Sequence, residues 1–72
     1  MAKTEFVVSW ERFTRFSVRH YSRSFDHLKD AQEKARKVKA DCLVTSCVVY
    51  QKEVKDDNGV RKVAIVSWNI PY

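Results

Sequence analysis

A chain of 72 residues with a net charge of +5 stands near the lower size limit for folding on an ordinary hydrophobic core, so a single domain over residues 1–72 is expected. Apolar residues make up 44% of it, including four Phe, three Tyr and two Trp, which excludes the disordered class. No run is apolar and long enough to span a bilayer, and Met1-Ala2-Lys3-Thr4 leads straight into a strand-like segment, so no membrane contact and a reduced, cytoplasmic location are expected.

Glu5 to Phe13 alternates as a strand, with Phe6, Val8 and Trp10 on one face, Glu5, Ser9 and Glu11 on the other, and Val7 as the exception. Arg15 to Tyr21 continues the alternation, Phe16 and Val18 against Arg15, Ser17 and Arg19. The join at residues 11–14 lacks Gly, Pro and Asn, so the pattern fits either a hairpin or one long bent strand.

A helix follows. Leu28, Ala31, Ala35 and Val38 recur at the spacing of one buried stripe. Asp26 is placed to cap it, with Phe25 before it as a hydrophobic staple. Acids come early (Asp30, Glu33) and bases late (Lys34, Arg36, Lys37, Lys39), as the helix dipole favours. Asp30–Lys34 and Glu33–Lys37 stand as i, i+4 pairs, and two alanines allow a close approach to a sheet. The helix is expected to stop near Ala40-Asp41.

Leu43–Val54 and Val60–Ile70 are rich in β-branched residues and flank Asp56-Asp57-Asn58-Gly59. Asn58-Gly59 alone fits a two-residue type I′ loop, whereas the four residues together fit a type I turn with Gly59 in the bulge position. The second is favoured. It sets Val48 opposite Trp68 and Tyr50 opposite Val66. The helix-covered face would then hold Val44, Val48, Tyr50, Ala64, Val66, Trp68 and Ile70. Leu43, Val49, Val63 and Ile65 would fall on the opposite face, and a slip of one residue would exchange the two. Cys42 and Cys47, five apart, fall on opposite faces of a strand and do not pair. The fold class is therefore α+β: a four-stranded, mainly antiparallel sheet with one helix packed on one face, in the order ββαββ.

Catalytic chemistry finds little support in these residues. His20 and His27 are the only histidines, and neither falls in a recognisable Ser/His/Asp or Cys/His spacing. Two cysteines and two distant histidines do not make a metal site, and Gly59, the only glycine, leaves no phosphate-cradling loop. No catalytic residue, metal or cofactor is expected. A small nuclease built on His20 or His27 is the weakest reading.

The charge is uneven. Residues 1–25 carry five Lys/Arg against Glu5 and Glu11. Within them Arg12, Arg15, Arg19 and Arg23 recur at intervals of three and four, interleaved with Phe13, Phe16 and Tyr21. On a strand, Arg15, Arg19, Tyr21 and Arg23 would share a face, where guanidinium groups grip phosphates and a tyrosine stacks on a base. Arg12, Arg15, Arg19, Tyr21 and Arg23 are thus candidates for binding nucleic acid or an acidic partner. The same charges also suit a solvated strand face, partly neutralised by Glu5, Glu11 and Glu53. A second set, Val7, Leu43, Val49, Val63 and Ile65, would lie away from the helix and form a protein interface or a homodimer seam. A core this small leaves only about 3–5 kcal/mol of net stability, which such contacts would supplement.

The order strand, strand, then Ser-Phe-Asp-x-Leu-x-x-Ala-x-x-x-Ala (Ser24 to Ala35), then a hairpin resembles small phage-encoded proteins that bind and inhibit host enzymes. The resemblance lies in element order across nearly the whole chain and carries over no binding residue. It implies a non-catalytic regulator or inhibitor bound to a larger host protein, one that is acidic or handles nucleic acid. Direct binding of RNA or single-stranded DNA is the alternative.

Overall fold

Alternation along Phe6, Val8 and Trp10 turns these side chains toward the helix, and the pairing of neighbouring strands carries the same face across the sheet. The computed structural model describes residues 2–70, organised as β1 (Ala2–Phe13), β2 (Val18–Phe25), α1 (Leu28–Lys39), β3 (Val44–Asp57) and β4 (Val60–Ser67). The strands lie in the order β2-β1-β3-β4 with every neighbour antiparallel. A four-stranded antiparallel sheet with one helix on one face is the architecture the patterning predicts.

The first two strands form a hairpin and not a single bent strand. Its link is closed by the backbone of Thr14 donating to the Ser17 carbonyl (2.7 Å), with the Thr14 hydroxyl donating to the same oxygen. A threonine side chain thus does the work for which glycine or asparagine is usual. β2 starts at Val18 and not at Arg15, which leaves Arg15 in the link.

Ala31, Ala35 and Val38 are the buried residues of α1, as the stripe predicts. With Val8 and Val49 the two alanines form the core, and Phe6, Trp10, Phe25, Cys47 and Ile70 pack around it. The N-terminus of the helix departs from expectation. Its N-cap is His27, which makes no side-chain cap, while the Asp26 carboxylate pairs with Lys3 at 3.3 Å. Asp26 thus stands one residue outside the cap, in an exposed ion pair to β1. Of the two helical pairs, Glu33–Lys37 forms at 3.7 Å, whereas Lys34 reaches over the Trp10 ring. The far end closes without glycine: the Leu43 amide donates to Asp41 Oδ1 at 2.9 Å, an Asx-type turn.

The β3–β4 turn is the two-residue loop, not the favoured four-residue one. Asp57 pairs with Val60, and Asn58 and Gly59 between them take φ of 52° and 77°, the type I′ combination, which follows the twist of the flanking strands. The register is therefore one residue away from that expected: Val54 faces Val63 and Lys52 faces Ile65. A bulge between Gln51 and Lys52 then advances β4, so that Gln51 pairs with Ser67. Pairing with β1, Val8 opposite Val49 and Val7 opposite Tyr50, puts Val49 in the core and Val48 and Tyr50 on the face away from the helix. The slip and bulge in β4 bring Trp68 to Tyr50 on that face. Among the described residues no helix is long and apolar enough to cross a membrane.

Candidate functional site

A helix with its side chains is about 10–12 Å wide, and strands are spaced about 4.8 Å apart. One helix therefore covers little more than two strands, and α1 lies mainly over β1 and β3. This leaves the outer strand β2 uncovered beside α1, and leaves the opposite face of the sheet bare. Each carries one of the two residue sets singled out in the sequence.

Beside α1, β2 presents Arg19, Tyr21 and Arg23 on the helix side. Their partners in β1 are Arg12, Trp10 and Val8. Trp10 and Tyr21 stack, with centroids 5.7 Å apart and planes 18° apart. Lys34 lies 5.5 Å from the Trp10 centroid, and the Arg23 guanidinium 5.5 Å from that of Phe25. These cations rest on ring faces and form no ion pair among the described residues, with Asp30 and Glu33 lining the same hollow. Arg12 is held differently: its Nε donates to Asp41 Oδ2 at 2.8 Å. That hydrogen bond raises the pKa of Arg12 further. The Asp41 carboxyl is pulled below the usual carboxylate range, first by the Leu43 amide and then by Arg12. Two adjoining hollows, of ≈ 380 and ≈ 250 Å³, run along this seam and share Lys34 and Lys37.

Arg12, Arg19, Tyr21 and Arg23 are thus brought together, and Arg15 is not. It sits in the β1–β2 link, 5.7 Å from the ring of Phe16. Trp10, Lys34 and Lys37 complete the face and were not singled out from the sequence. A tryptophan on the apolar stripe reads as core, and helix lysines read as a solvated surface. The expected neutralisation by Glu5 and Glu53 does not occur here. Glu5 pairs with Lys52 (3.3 Å) on the opposite face, and Glu53 with Lys55 (3.6 Å).

The face away from the helix holds a second group. Tyr50 and Trp68 meet with centroids 4.6 Å apart. Next to them along the outer strand lie Ile65 and Val63, 49% and 53% exposed, and Trp68 itself is 55% exposed. Of the five predicted interface residues, Val63 and Ile65 belong to this patch. Val7 is on the same face but only 3% exposed, between its pairing partners Ser24 and Tyr50. Val49 is a correction: it is fully buried opposite Val8, on the helix side. Leu43 is another. It is exposed, but in the loop before β3, about 36 Å along the chain direction from Val54, the partner of Val63. Tyr50 and Trp68 were missed because the assumed register assigned them to the core.

The structure also joins Ser9 Oγ to His20 Nε2, 3.1 Å apart on the face away from the helix. Among the described residues no hydrogen bond orients the other ring nitrogen, and the pair is exposed on a flat part of the sheet. It lacks the third group and the oxyanion donors that make such a pair a nucleophile and base. His27 serves as the N-cap of α1. Cys42 and Cys47 form no disulfide, the first being exposed in the loop and the second packed against the core.

No family model, no curated protein and no solved structure matches the chain. The reading of its function rests on these two surfaces.

Proposed function

We propose that the protein is a non-catalytic binding module, a small regulator or inhibitor of phage type. It acts in the cytoplasm by docking its bare sheet face onto a larger host protein. The observation that carries this reading is the cluster of Tyr50, Trp68, Ile65 and Val63 on a face that no described element of the chain covers. Aromatic and aliphatic anchors of this kind supply most of the energy at protein interfaces. β4 also presents an unpaired backbone edge, to which a partner strand can add.

Area and charge agree with this assignment. The chain exposes 5405 Å², about 750 Å² more than a compact monomer of its mass. One partner in a standard interface buries about 800 Å². The strand carries Arg61 and Lys62 and no carboxylate, and the chain as a whole is at +5. Two copies would repel, whereas a partner offering an apolar stripe beside carboxylates is attracted.

The test begins with affinity capture by the wild-type protein and by Ile65→Lys and Trp68→Ala. The captured protein is then titrated in pure form by calorimetry. Loss of binding in both variants, with Tyr21→Ala unaffected, supports the reading. Equal binding by all of them sinks it. A concentration-dependent dimer in light scattering, abolished by Ile65→Lys, would replace the host protein with a second copy.

A further inference from the structure

The seam beside α1 is a separate surface, on the other side of the sheet from the proposed docking face, and its chemistry differs. Arg19 and Arg23 stand two residues either side of Tyr21 on the helix-side face of β2. Successive side chains on one strand face are about 7 Å apart, so the two guanidinium-bearing positions lie about 13 Å apart with the ring between them. Among the described residues Arg19 makes no ion pair, and Arg23 meets only the Phe25 ring. Arg12, directly across from Arg19, would add a like-charge repulsion, which Asp41 takes up by pairing with it. Asp30 and Glu33 line the hollow that Arg23 and Lys34 share, and Glu33 pairs with Lys37. Arg19, Arg23 and Lys34 form no ion pair among the described residues and are the cations left for an external anion.

Stacking fixes the kind of anion. Trp10 has Lys34 above it and Tyr21 against it, so its ring is enclosed. Tyr21 is the outer member of the stack, 37% exposed at the edge of the sheet. Further along, at the hairpin tip, Phe16 is 91% exposed with Arg15 beside its ring. A row of cations punctuated by aromatic faces suits a chain that alternates phosphates with flat bases. Bases are free to stack on such rings only when unpaired.

We infer that the β2 face and the hairpin tip bind single-stranded nucleic acid. A base stacks on Tyr21, its flanking phosphates lie against Arg19 and Arg23, and Phe16 takes a further base. This inference stands apart from the host-protein reading, because it uses the other side of the sheet.

The test is fluorescence anisotropy with labelled RNA and DNA single strands of mixed sequence and with duplex DNA, at low and physiological salt. The expected result is binding of single strands that persists at physiological salt and exceeds duplex binding. Tyr21→Ala should weaken it roughly ten-fold and Tyr21→Phe should restore it, because the ring and not the hydroxyl stacks. Arg19→Ala and Arg23→Ala should each flatten the salt dependence by about 0.7 in slope. Ile65→Lys, which disrupts the opposite face, should leave all of this unchanged, so failure of one proposal is separable from failure of the other. The RNA and DNA arms report which sugar the face accepts, and tighter binding of either supports the inference. Equal affinity of folded Tyr21→Ala and wild type overturns it. So does equal or tighter binding of duplex, or binding lost on moving to physiological salt.

Discussion

The two outer strands, β2 and β4, occupy equivalent places and each carries two cations and no carboxylate, yet they differ in how those charges are spread and in what accompanies them. Each is eight residues long and each leaves one backbone edge unpaired. β2 shows water Arg19, Tyr21 and Arg23 on one face and His20, Ser22 and Ser24 on the other. Charge on an edge strand keeps other chains from adding to it. β4 shows Val63 and Ile65, and Trp68 just beyond its end, on the face where no helix lies. Its two cations, Arg61 and Lys62, lie together beside the turn, and the rest of the strand is without charge. The same architectural position thus carries cations around a tyrosine on one side of the molecule and exposed aliphatic and aromatic side chains on the other. The helix is too narrow to cover either.

The largest expected effect separates core from patch. Val49→Lys buries an ammonium between Val8 and the alanines of α1. An unpaired buried charge costs about 3–5 kcal/mol, as much as a domain of this size has in hand. The variant should show no cooperative thermal transition by circular dichroism. Ile65→Lys, on the bare face, should melt within about 0.5 kcal/mol of wild type. If the two lysines behave alike, the division of the sheet into a covered and a bare face is wrong. Next in size, Trp68→Ala should weaken the host-protein complex by about 2 kcal/mol or more in calorimetry. Its affinity for oligonucleotides should not change.

Gly59→Ala tests the turn that places those residues. A methyl group added at this position would meet nothing within 4 Å, and φ is +77°, so the cost is that of the left-handed backbone alone, about 1–2 kcal/mol in urea unfolding. A neutral result would argue against the type I′ loop and its register. The smallest effect concerns Asp41, whose carboxyl titrates below its ordinary range. A group lowered on folding stabilises the fold above its unfolded pKa, and that contribution disappears as pH falls through the folded value. Wild type should therefore exceed Asp41→Asn in stability at neutral pH. The gap should close below about pH 4, where carboxylates ordinarily titrate. The same variant frees Arg12 and should tighten oligonucleotide binding slightly, which a binding isotherm would show.

Periodicity made much of this fold legible. The helix stripe of Ala31, Ala35 and Val38, the hairpin around Asn58-Gly59, and the side of β1 that turns inward all follow from spacing two and three to four residues apart. The arginines and tyrosine of β2 were also visible, since alternation alone assigns Arg19, Tyr21 and Arg23 to one face. Arg15 was lost from that set because nothing local marks Thr14–Ser17 as a turn. Its closure combines a backbone hydrogen bond from Thr14 to Ser17 with bonds of the Thr14 hydroxyl.

What spacing could not reach is relative position. The pairing of β3 with β1 decided that Val49 and not Tyr50 entered the core, and a choice between two turns that both suit Asp-Asp-Asn-Gly decided how β4 aligns with them. The bulge at Gln51 then set Trp68 against Tyr50, a contact that no local pattern encodes. Asp26 stands one residue outside the helix cap and pairs with Lys3, a residue distant in sequence. By itself the sequence determined the elements, their order and the chemistry available on each strand, since these depend on neighbours along the chain. Tertiary structure alone decided which side of β3 meets the helix and how β4 aligns with it, and therefore which residues remain exposed. That outcome turns on register and on the width of a single helix, both of which exist only once the strands have paired.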